Sequence, residues 1–301
     1  MKTNKKLSGF IVIAGTGLCA ALIIIAVLGI TGNIVYHGLP RLSWEFLTGS
    51  PTEGMTEGGI FPAIVGTFFL TIIMAVAGVP IGTITAMYLS EYVSQKSPVI
   101  KAIRFAVNTL AGIPSIVFGL FGLGFFVQFV GAGVDMLCMR NGEVRWGQPN
   151  ILWASMTMAV LTLPVVIVAV EEAIRTIPRE LREASLALGA TKWETILRVV
   201  LPNCFSGIMT GAILAVSRGA GEVAPILFTG AAYYLPSLPR SLSDQFMNLG
   251  YHVYIMSTQS PNVEMTRGIQ YATTLVLLLL TFTLNFTAIF LRYRMRRHAV
   301  S

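Results

Sequence analysis

Long apolar runs, separated by short polar stretches, dominate the sequence from one end to the other. Crossing the hydrocarbon core of a bilayer takes about 20 consecutive apolar residues. Six stretches reach that length, and they lie near residues 9–36, 60–90, 106–131, 151–170, 203–232 and 268–291. The first run is about twice as long as the apolar part of a secretory signal and lacks a small-residue cleavage site after it, so we expect an uncleaved span. The pattern predicts an all-α polytopic membrane protein with six transmembrane helices embedded in the lipid bilayer.

The composition agrees with this pattern. Of the 301 residues, 54% are hydrophobic and only 12% are charged, whereas a soluble globular domain carries about 25% charged residues. Such a composition excludes disordered chains, secreted disulfide scaffolds and nucleic-acid-binding domains, so no nucleic acid is expected as a partner. The three cysteines and three histidines are scattered without the spacing of metal ligands, and we therefore predict no metal site.

The distribution of basic residues predicts an orientation. Fifteen of the 21 lysines and arginines lie in one set of segments, 1–8, 91–105, 171–202 and 292–301. Five lie in the alternate loops, 37–59, 132–150 and 233–267. Loops rich in Lys and Arg remain in the cytoplasm, so the sequence predicts a multi-pass protein of the cytoplasmic (inner) membrane with both termini cytoplasmic. The aromatic and proline-containing loop 233–267 is typical either of a segment at headgroup level or of a docking surface for an extracytoplasmic partner.

The loop between the fourth and fifth spans has the most specific local pattern. An apolar stripe with helical spacing ends at Gly189, and Thr191 and Glu194 then have the spacing of a capping box. We expect a second short helix to start there and to end before Pro202. The pattern predicts two short helices bent at a glycine on the membrane surface, which an ordinary amphipathic connector would also contain.

Arg218 and Glu222 are the two charged residues within the six apolar stretches, and both lie about midway along 203–232. Their spacing of four residues places them on one helix face, where they can pair. An arginine at the bilayer centre costs roughly 2.5–3.5 kcal/mol on insertion scales and usually faces a cavity or a partner. The guanidinium group is suited to an oxyanion such as phosphate, so the pair is the candidate substrate pathway, with a structural ion pair as the alternative. The same span carries a ladder of small residues that would let another helix approach closely, namely Gly207, Gly211, Ala215 and Gly219.

The loop resembles the signature of bacterial ABC importer permeases, in which E-A-A is followed by three residues, Gly, nine residues, Ile, one residue and Leu-Pro. The matching residues keep every interval, and they are Glu183, Ala184, Ser185, Gly189, Val199, Leu201 and Pro202. Ser replaces Ala and Val replaces Ile, which should preserve the bent pair of helices. The resemblance implies that these residues couple the chain to a cytoplasmic ATPase subunit by docking into a groove on it.

Four further stretches narrow the resemblance to the A-type permease subunit of phosphate-specific ABC importers, and they are 58–60, 88–92, 113–120 and 217–229. The similarity runs from about residue 55 to 292. Val223 departs from it, because the family commonly has threonine after the glutamate. The resemblance implies a type I ABC importer permease fold that translocates inorganic phosphate by alternating access, with Arg218 as a transient anion site and Glu222 orienting it.

The resemblance also implies the partners of the chain. These are a second permease subunit in a heterodimer, two cytoplasmic ATPase subunits and an extracytoplasmic phosphate-binding protein. No lysine follows a glycine, so the sequence lacks a P-loop. We therefore expect no cofactor on this chain, with ATP and Mg bound by the partner ATPase. The implied organisation is an N-terminal span with an outer loop (1–59), a permease domain (60–292) with its coupling loop at 172–202, and a cytoplasmic basic tail (293–301).

Three other functions remain as alternatives. One is an ABC permease for another oxyanion or small solute. Another is a passive or ion-coupled anion carrier that uses the same charged pair and needs no ATPase. The third, a membrane enzyme, is disfavoured because no span carries a nucleophile with a plausible base or a pair of metal ligands, and no catalytic residue is assigned.

Overall fold

The computed structural model describes residues 2–52, 57–93, 97–138, 143–260 and 263–298. In chain order its helices are α1 (Lys2–Gly38), α2 (Trp44–Thr48), α3 (Phe61–Met87), α4 (Pro98–Leu110), α5 (Ser115–Phe121), α6 (Ala132–Cys138), α7 (Ile151–Arg175), α8 (Arg179–Ala187), α9 (Lys192–Thr195), α10 (Leu201–Gly219), α11 (Leu249–Thr258) and α12 (Val263–His298). Two short antiparallel strands, β1 (Pro51–Thr52) and β2 (Glu57–Gly58), form a hairpin before α3.

Three π-helical segments continue these helices within the described ranges, and they are Tyr88–Tyr92 after α3, Gly122–Gly131 after α5 and Ile196–Val200 after α9. Within the described ranges, six helical segments are long and apolar enough to cross a membrane, and they are Val12–Arg41, Phe61–Tyr92, Ser115–Cys138, Ile151–Arg175, Lys192–Gly219 and Val263–Met295. The predicted number and order of transmembrane helices are therefore confirmed.

Helix α7 lies at the centre of the packing, against α3 and α10. The small-residue ladder of α10 makes this possible, because a Cβ at Gly207 would collide with the Cβ of Ala173 and one at Gly211 would touch Val166. The helix that approaches the ladder is thus one of the same chain. By contrast, α1 contacts mainly α12, and none of its most apolar window is buried.

The two ends of the bundle differ in charge. The end formed by α4, α8, α9 and the last turns of α3 and α7 carries the basic residues of 97–105 and 171–202, and we call it the basic face. The opposite end carries the β1–β2 hairpin, and we call it the hairpin face.

Several boundaries differ from those predicted. The third span begins at Ser115 rather than at 106, because Pro114 ends the preceding turn and residues up to Leu110 belong to the separate amphipathic helix α4. The predicted basic tail from 293 is largely a continuation of α12 to His298, and its residues 299–301 lie outside the described part. The loop 233–267 contains α11, whose Leu249, Ile255 and Met256 are buried whereas Tyr254 is exposed.

The fifth span differs more. It is predicted to run from 203 to 232, but its helix begins at Lys192 and ends at Gly219. The second helix of the coupling loop therefore does not end before Pro202. The π-helical turn Ile196–Val200 immediately precedes that proline and widens the helix, which relieves the clash of a proline ring with the carbonyl four residues earlier.

Candidate functional site

The coupling loop has the predicted bent shape. Gly189 separates α8 from α9 and has φ +87°, a left-handed conformation that L side chains rarely adopt. A Cβ added there would meet no atom within 4 Å, so the requirement for glycine is conformational. The capping box is also present, since the Thr191 hydroxyl accepts from the Glu194 amide at 3.2 Å and the Thr191 amide donates to the Glu194 carboxylate at 2.8 Å.

The residues matched to the permease signature divide into two groups. Glu183, Ala184 and Gly189 are exposed, and Ser185 is half-buried with its hydroxyl 2.9 Å from that of Thr195, which ties α8 to α9. The remaining three lie on the helix that leads into the membrane, where Val199 and Leu201 are half-buried and Pro202 is exposed. Leu201 packs against the core formed by α3, α7 and α10, so its role within this chain is structural.

The loop presents apolar side chains to its surroundings. Helix α8 has no buried residue, and Leu181 and Leu186 are both exposed. At the bend, Leu188 is 89% exposed, and Trp193 on α9 is 57% exposed. Apolar groups this exposed on a polar loop are typical of a surface that a partner covers.

An ion pair fixes the loop to the end of the second span. Arg182 on α8 donates from Nη2 to the Glu91 carboxylate at 2.8 Å and from Nε to the same oxygen at 3.0 Å. It also donates to the main-chain carbonyls of Ile174 and Ile177 at 2.9 and 2.8 Å. Both charged side chains are mostly buried. The contact joins residues 91 positions apart, and the local spacing of the sequence does not indicate it.

A second charged group lies beside it. Arg104 on α4 donates to the Glu171 carboxylate at 3.3 Å, and Arg175 approaches the other oxygen of Glu171 at 3.9 Å. Glu171 is buried near the end of α7. Sequence reasoning placed these residues in basic loops and did not assign them a role.

Arg218 and Glu222 form the predicted pair, with the Arg218 Nε 3.8 Å from the Glu222 carboxylate. The contact is too long for a strong hydrogen bond, and the two side chains are 37% and 25% exposed. Among the described residues Arg218 makes no other ion pair or side-chain hydrogen bond. The guanidinium donors are therefore available to a ligand.

The sequence predicts that the pair lies midway along the fifth span. In the structure it lies at the point where the helix stops. Helix α10 ends at Gly219, and Glu222 belongs to a series of turns that follows. Gly219 nevertheless lies at mid-depth in the bundle, because its α-carbon faces the side chain of Met74, which is midway along α3. Glycines at 219 and 221 and the proline at 225 explain the end of the helix, since both residue types are poor helix formers.

The turns after Gly219 are partly buried, and much of their backbone is hydrogen-bonded within the protein. Ile226 and Thr229 are fully buried, and the Thr229 carbonyl accepts from the Asn150 amide at 2.9 Å. Gly119 of the third span lies against the Ala224 carbonyl, so the segment is enclosed between spans. Irregular backbone at membrane depth is tolerated where it is enclosed by protein or lines a cavity. The candidate site is thus an arginine and a carboxylate at a helix break, at mid-depth of the bundle and with the arginine exposed on its surface.

The chain as a whole is similar to proteins of one transporter family. Residues 78–297 match the family described as binding-protein-dependent transport system inner membrane component. The probable ABC transporter permease protein YqgI of Bacillus subtilis is 34% identical over 226 residues, which are 75% of this chain and 71% of that protein. The phosphate transport system permease protein PstA of Mycobacterium leprae is 36% identical over 194 residues, 64% of this chain and 58% of that protein. PstA of Haemophilus influenzae is 32% identical over 217 residues, covering 72% and 67% of the two chains.

Two solved structures have the same fold. A chain of the MetNI methionine ABC transporter, in an inward-facing conformation, superposes with a TM-score of 0.53 at 21% identity, covering 80% of this chain and 94% of that one. A chain of a bacterial ABC transporter involved in the import of the acidic polysaccharide alginate gives a TM-score of 0.62 at 17% identity, covering 92% and 95%. The predicted type I ABC importer permease fold is confirmed.

Proposed function

The chain belongs to the family of binding-protein-dependent transport system inner membrane components, and from that premise we propose that it carries inorganic phosphate through the membrane as one half of a permease pair. As a member of this family with six apolar helices, it is the multi-pass membrane subunit of an ABC importer. Importers of this class work with a cytoplasmic ATPase and an external binding protein. Phosphate as the substrate, the heterodimer and the roles of individual residues are the proposed part.

The observation that carries the proposal is the state of Arg218. Its guanidinium lies at mid-depth in the bundle, only loosely held by a carboxylate at 3.8 Å. A guanidinium group offers a fork of donors that fits two oxygens of a phosphate. The PstA proteins of other bacteria, named as phosphate transport permeases, support this choice of oxyanion.

In this mechanism Glu222 prevents tight binding. A phosphate ion that reaches Arg218 displaces the carboxylate from the guanidinium, and the carboxylate then competes for the same donors. Because the carboxylate is four residues away and at the helix end, it can return as the anion leaves. The result is a transient site, which transport requires because a tightly bound anion would not be released.

The coupling loop supplies the connection to ATP. We infer that Leu188 and Trp193, both exposed, enter a groove on the ATPase subunit beside Glu183, Ala184 and Gly189. ATP and Mg bind to that subunit, and closure of two such subunits displaces the loop. The basic face then lies in the cytoplasm, in agreement with its excess of Lys and Arg, and both termini are cytoplasmic.

Uptake by the reconstituted complex tests the substrate. The chain, its second permease, the ATPases and the binding protein are assembled in liposomes, and initial rates of phosphate and sulfate uptake are measured with and without ATP. We expect ATP-dependent phosphate uptake that Arg218→Gln abolishes and Arg218→Lys partly retains, because lysine keeps the charge but not the fork. Arg294→Gln, at an exposed position on α12, is the matched control.

Several outcomes would contradict the proposal. Unchanged phosphate uptake in Arg218→Gln would remove this residue from the pathway. Uptake of sulfate or another solute without phosphate would assign a different substrate. Transport that survives ATP depletion would favour a passive or ion-coupled carrier.

A further inference from the structure

A cavity of about 490 Å³ opens at the basic face, between the end of the second span, α4, the end of α7 and α8. Its wall carries four guanidinium groups and two carboxylates, which belong to Arg104, Arg175, Arg179, Arg182, Glu91 and Glu183. One water occupies about 30 Å³ in the liquid, so the cavity has room for a small oxyanion together with several waters. The arginines outnumber the carboxylates, so the lining has a net positive charge.

Part of this positive charge is already neutralised within the chain, and part is not. Glu91 is engaged by Arg182 at 2.8 Å. Arg175 is 64% exposed, and its Nη2 lies 3.9 Å from the Glu171 carboxylate, which is a long distance for an ion pair. Arg179 and Glu183 are four residues apart on α8, yet within the described part of the chain they form no ion pair. Arg175 and Arg179 are therefore free to turn towards an anion in the cavity.

Two buried polar groups in residues of the same wall have no hydrogen-bond partner within the described part of the protein. The Nε of Arg104 and the hydroxyl oxygen of Ser90 are both inaccessible to solvent, and neither has a hydrogen-bond partner among the described residues. Buried polar groups are nearly always satisfied in folded proteins. Ser90 and Arg104 both line the cavity, so a small shift of either side chain would let its unpaired group donate a hydrogen bond to an oxyanion there.

We propose that this cavity binds a phosphate-type oxyanion from the cytoplasm and that the bound ion slows transport. That this ion is the same phosphate that the chain transports rests on the proposed function. Ser90 and Arg104 belong to the end of the second span and to α4, whereas Arg179 and Arg182 belong to the coupling loop. An ion that bridges the two groups holds the loop against the span. Because the loop must move with the ATPases, occupancy of the cavity opposes each cycle, and the carboxylates on the wall keep the binding reversible.

The test uses the intact complex in liposomes with the ATPases outward and the binding protein inside. The liposomes are loaded with labelled phosphate, ATP and unlabelled inorganic phosphate are added outside, on the ATPase side, and the initial rate at which the label is transported out of the lumen is measured. We expect saturating phosphate to lower the rate by more than half. Ser90→Ala and Arg179→Gln should raise the half-inhibitory concentration by about tenfold, measured relative to each variant's own rate without added phosphate, as loss of a charge-assisted hydrogen bond does. Arg294→Gln should retain the inhibition of the wild type.

The controls separate other origins of the same effect. Inhibition of equal strength in Ser90→Ala, Arg179→Gln and wild type would place the ion at the nucleotide sites of the ATPases and overturn the proposal. Liposomes with and without phosphatidylglycerol distinguish free phosphate from a lipid headgroup. A rate that falls with phosphatidylglycerol and does not respond to phosphate would assign the cavity to lipid and overturn the product site.

Direct binding distinguishes the cavity from the membrane site. Labelled phosphate should bind the detergent-solubilised complex of permeases and ATPases that carries Arg218→Gln and lacks the binding protein, and the additional change Arg179→Gln should weaken that binding about tenfold. If the wild-type complex imports no phosphate, the proposed function fails. If import is normal and phosphate on the ATPase side has no effect, only the present inference fails.

Discussion

Replacement of Gly189 by alanine isolates the contribution of one backbone conformation to coupling. The residue has φ +87°, and a Cβ would meet nothing within 4 Å. The added methyl group therefore costs nothing in packing, and the whole effect comes from the left-handed conformation, which costs an L-residue roughly 1–2 kcal/mol. That cost reduces the fraction of loops with the α8–glycine–α9 bend by a factor of about 5–30.

Two rates measured on the same reconstituted complex report this loss. We expect Gly189→Ala to lower phosphate uptake several-fold while ATP hydrolysis falls less, so that fewer ions are imported per ATP. Gly189→Asn should lose less than the alanine variant, because asparagine tolerates the left-handed region better. Gly17→Ala is the matched control, since a Cβ there also meets nothing within 4 Å and the residue lies in ordinary helix.

Particular results would refute this reasoning. Wild-type coupling in Gly189→Ala would mean that the loop docks without the bend. A loss with asparagine equal to or greater than the loss with alanine would show that the left-handed backbone conformation is not the cause. A variant that fails to insert in the membrane would show that the glycine is needed for folding.

Three further predictions concern stability of the detergent-solubilised chain, followed by thermal unfolding. Arg182→Gln should destabilise the folded chain by about 3 kcal/mol, because it leaves the mostly buried Glu91 carboxylate unpaired. Adding Glu91→Gln should restore part of the lost stability. A double variant no more stable than Arg182→Gln alone would contradict this prediction. Burial lowers the pKa of His252 from 6.5 to about 4, so the unfolded chain takes up a proton first and stability should fall as the pH drops from about 6.5 to about 4; His252→Gln should flatten that slope, and an unchanged slope would refute the assignment. Gly207→Ala should destabilise because its Cβ collides with that of Ala173, whereas Ala173→Gly in the same chain should relieve the collision, and the absence of rescue would show that the contact is not the cause.

The sequence predicted the features that depend on local pattern. Six apolar stretches of sufficient length became six helices, and the capping box at Thr191 and Glu194 formed as its spacing indicated. The bend at Gly189 followed from an interrupted helical stripe and a residue that accepts positive φ. Each of these depends on residues within a few positions of one another.

The features that sequence reasoning missed depend on distant contacts or on an ambiguous pattern. The segment 220–232 is as apolar as a helix would be, and hydropathy does not distinguish a buried helix from buried turns. The sequence predicts a helix end before Pro202. The helix instead continues through the proline, because a π-helical turn that has no local sequence signal accommodates it. The pairing of Arg182 with Glu91 depends on the packing of α8 beside the second span, which spacing along the chain does not encode.

The continuity of the helix from Lys192 to Gly219 has a mechanical consequence. Its 28 residues form a rod of about 42 Å at 1.5 Å per residue, with α9 of the coupling loop at one end and Arg218 at the other. A push or rotation applied to α9 therefore reaches the guanidinium through one backbone, without a relay of side chains between subunits. The π-helical turn at Ile196–Val200 is the segment of this rod that departs from the α-helical pattern, because its hydrogen bonds run from i to i+5, so we expect any bending or twisting of the rod to occur there.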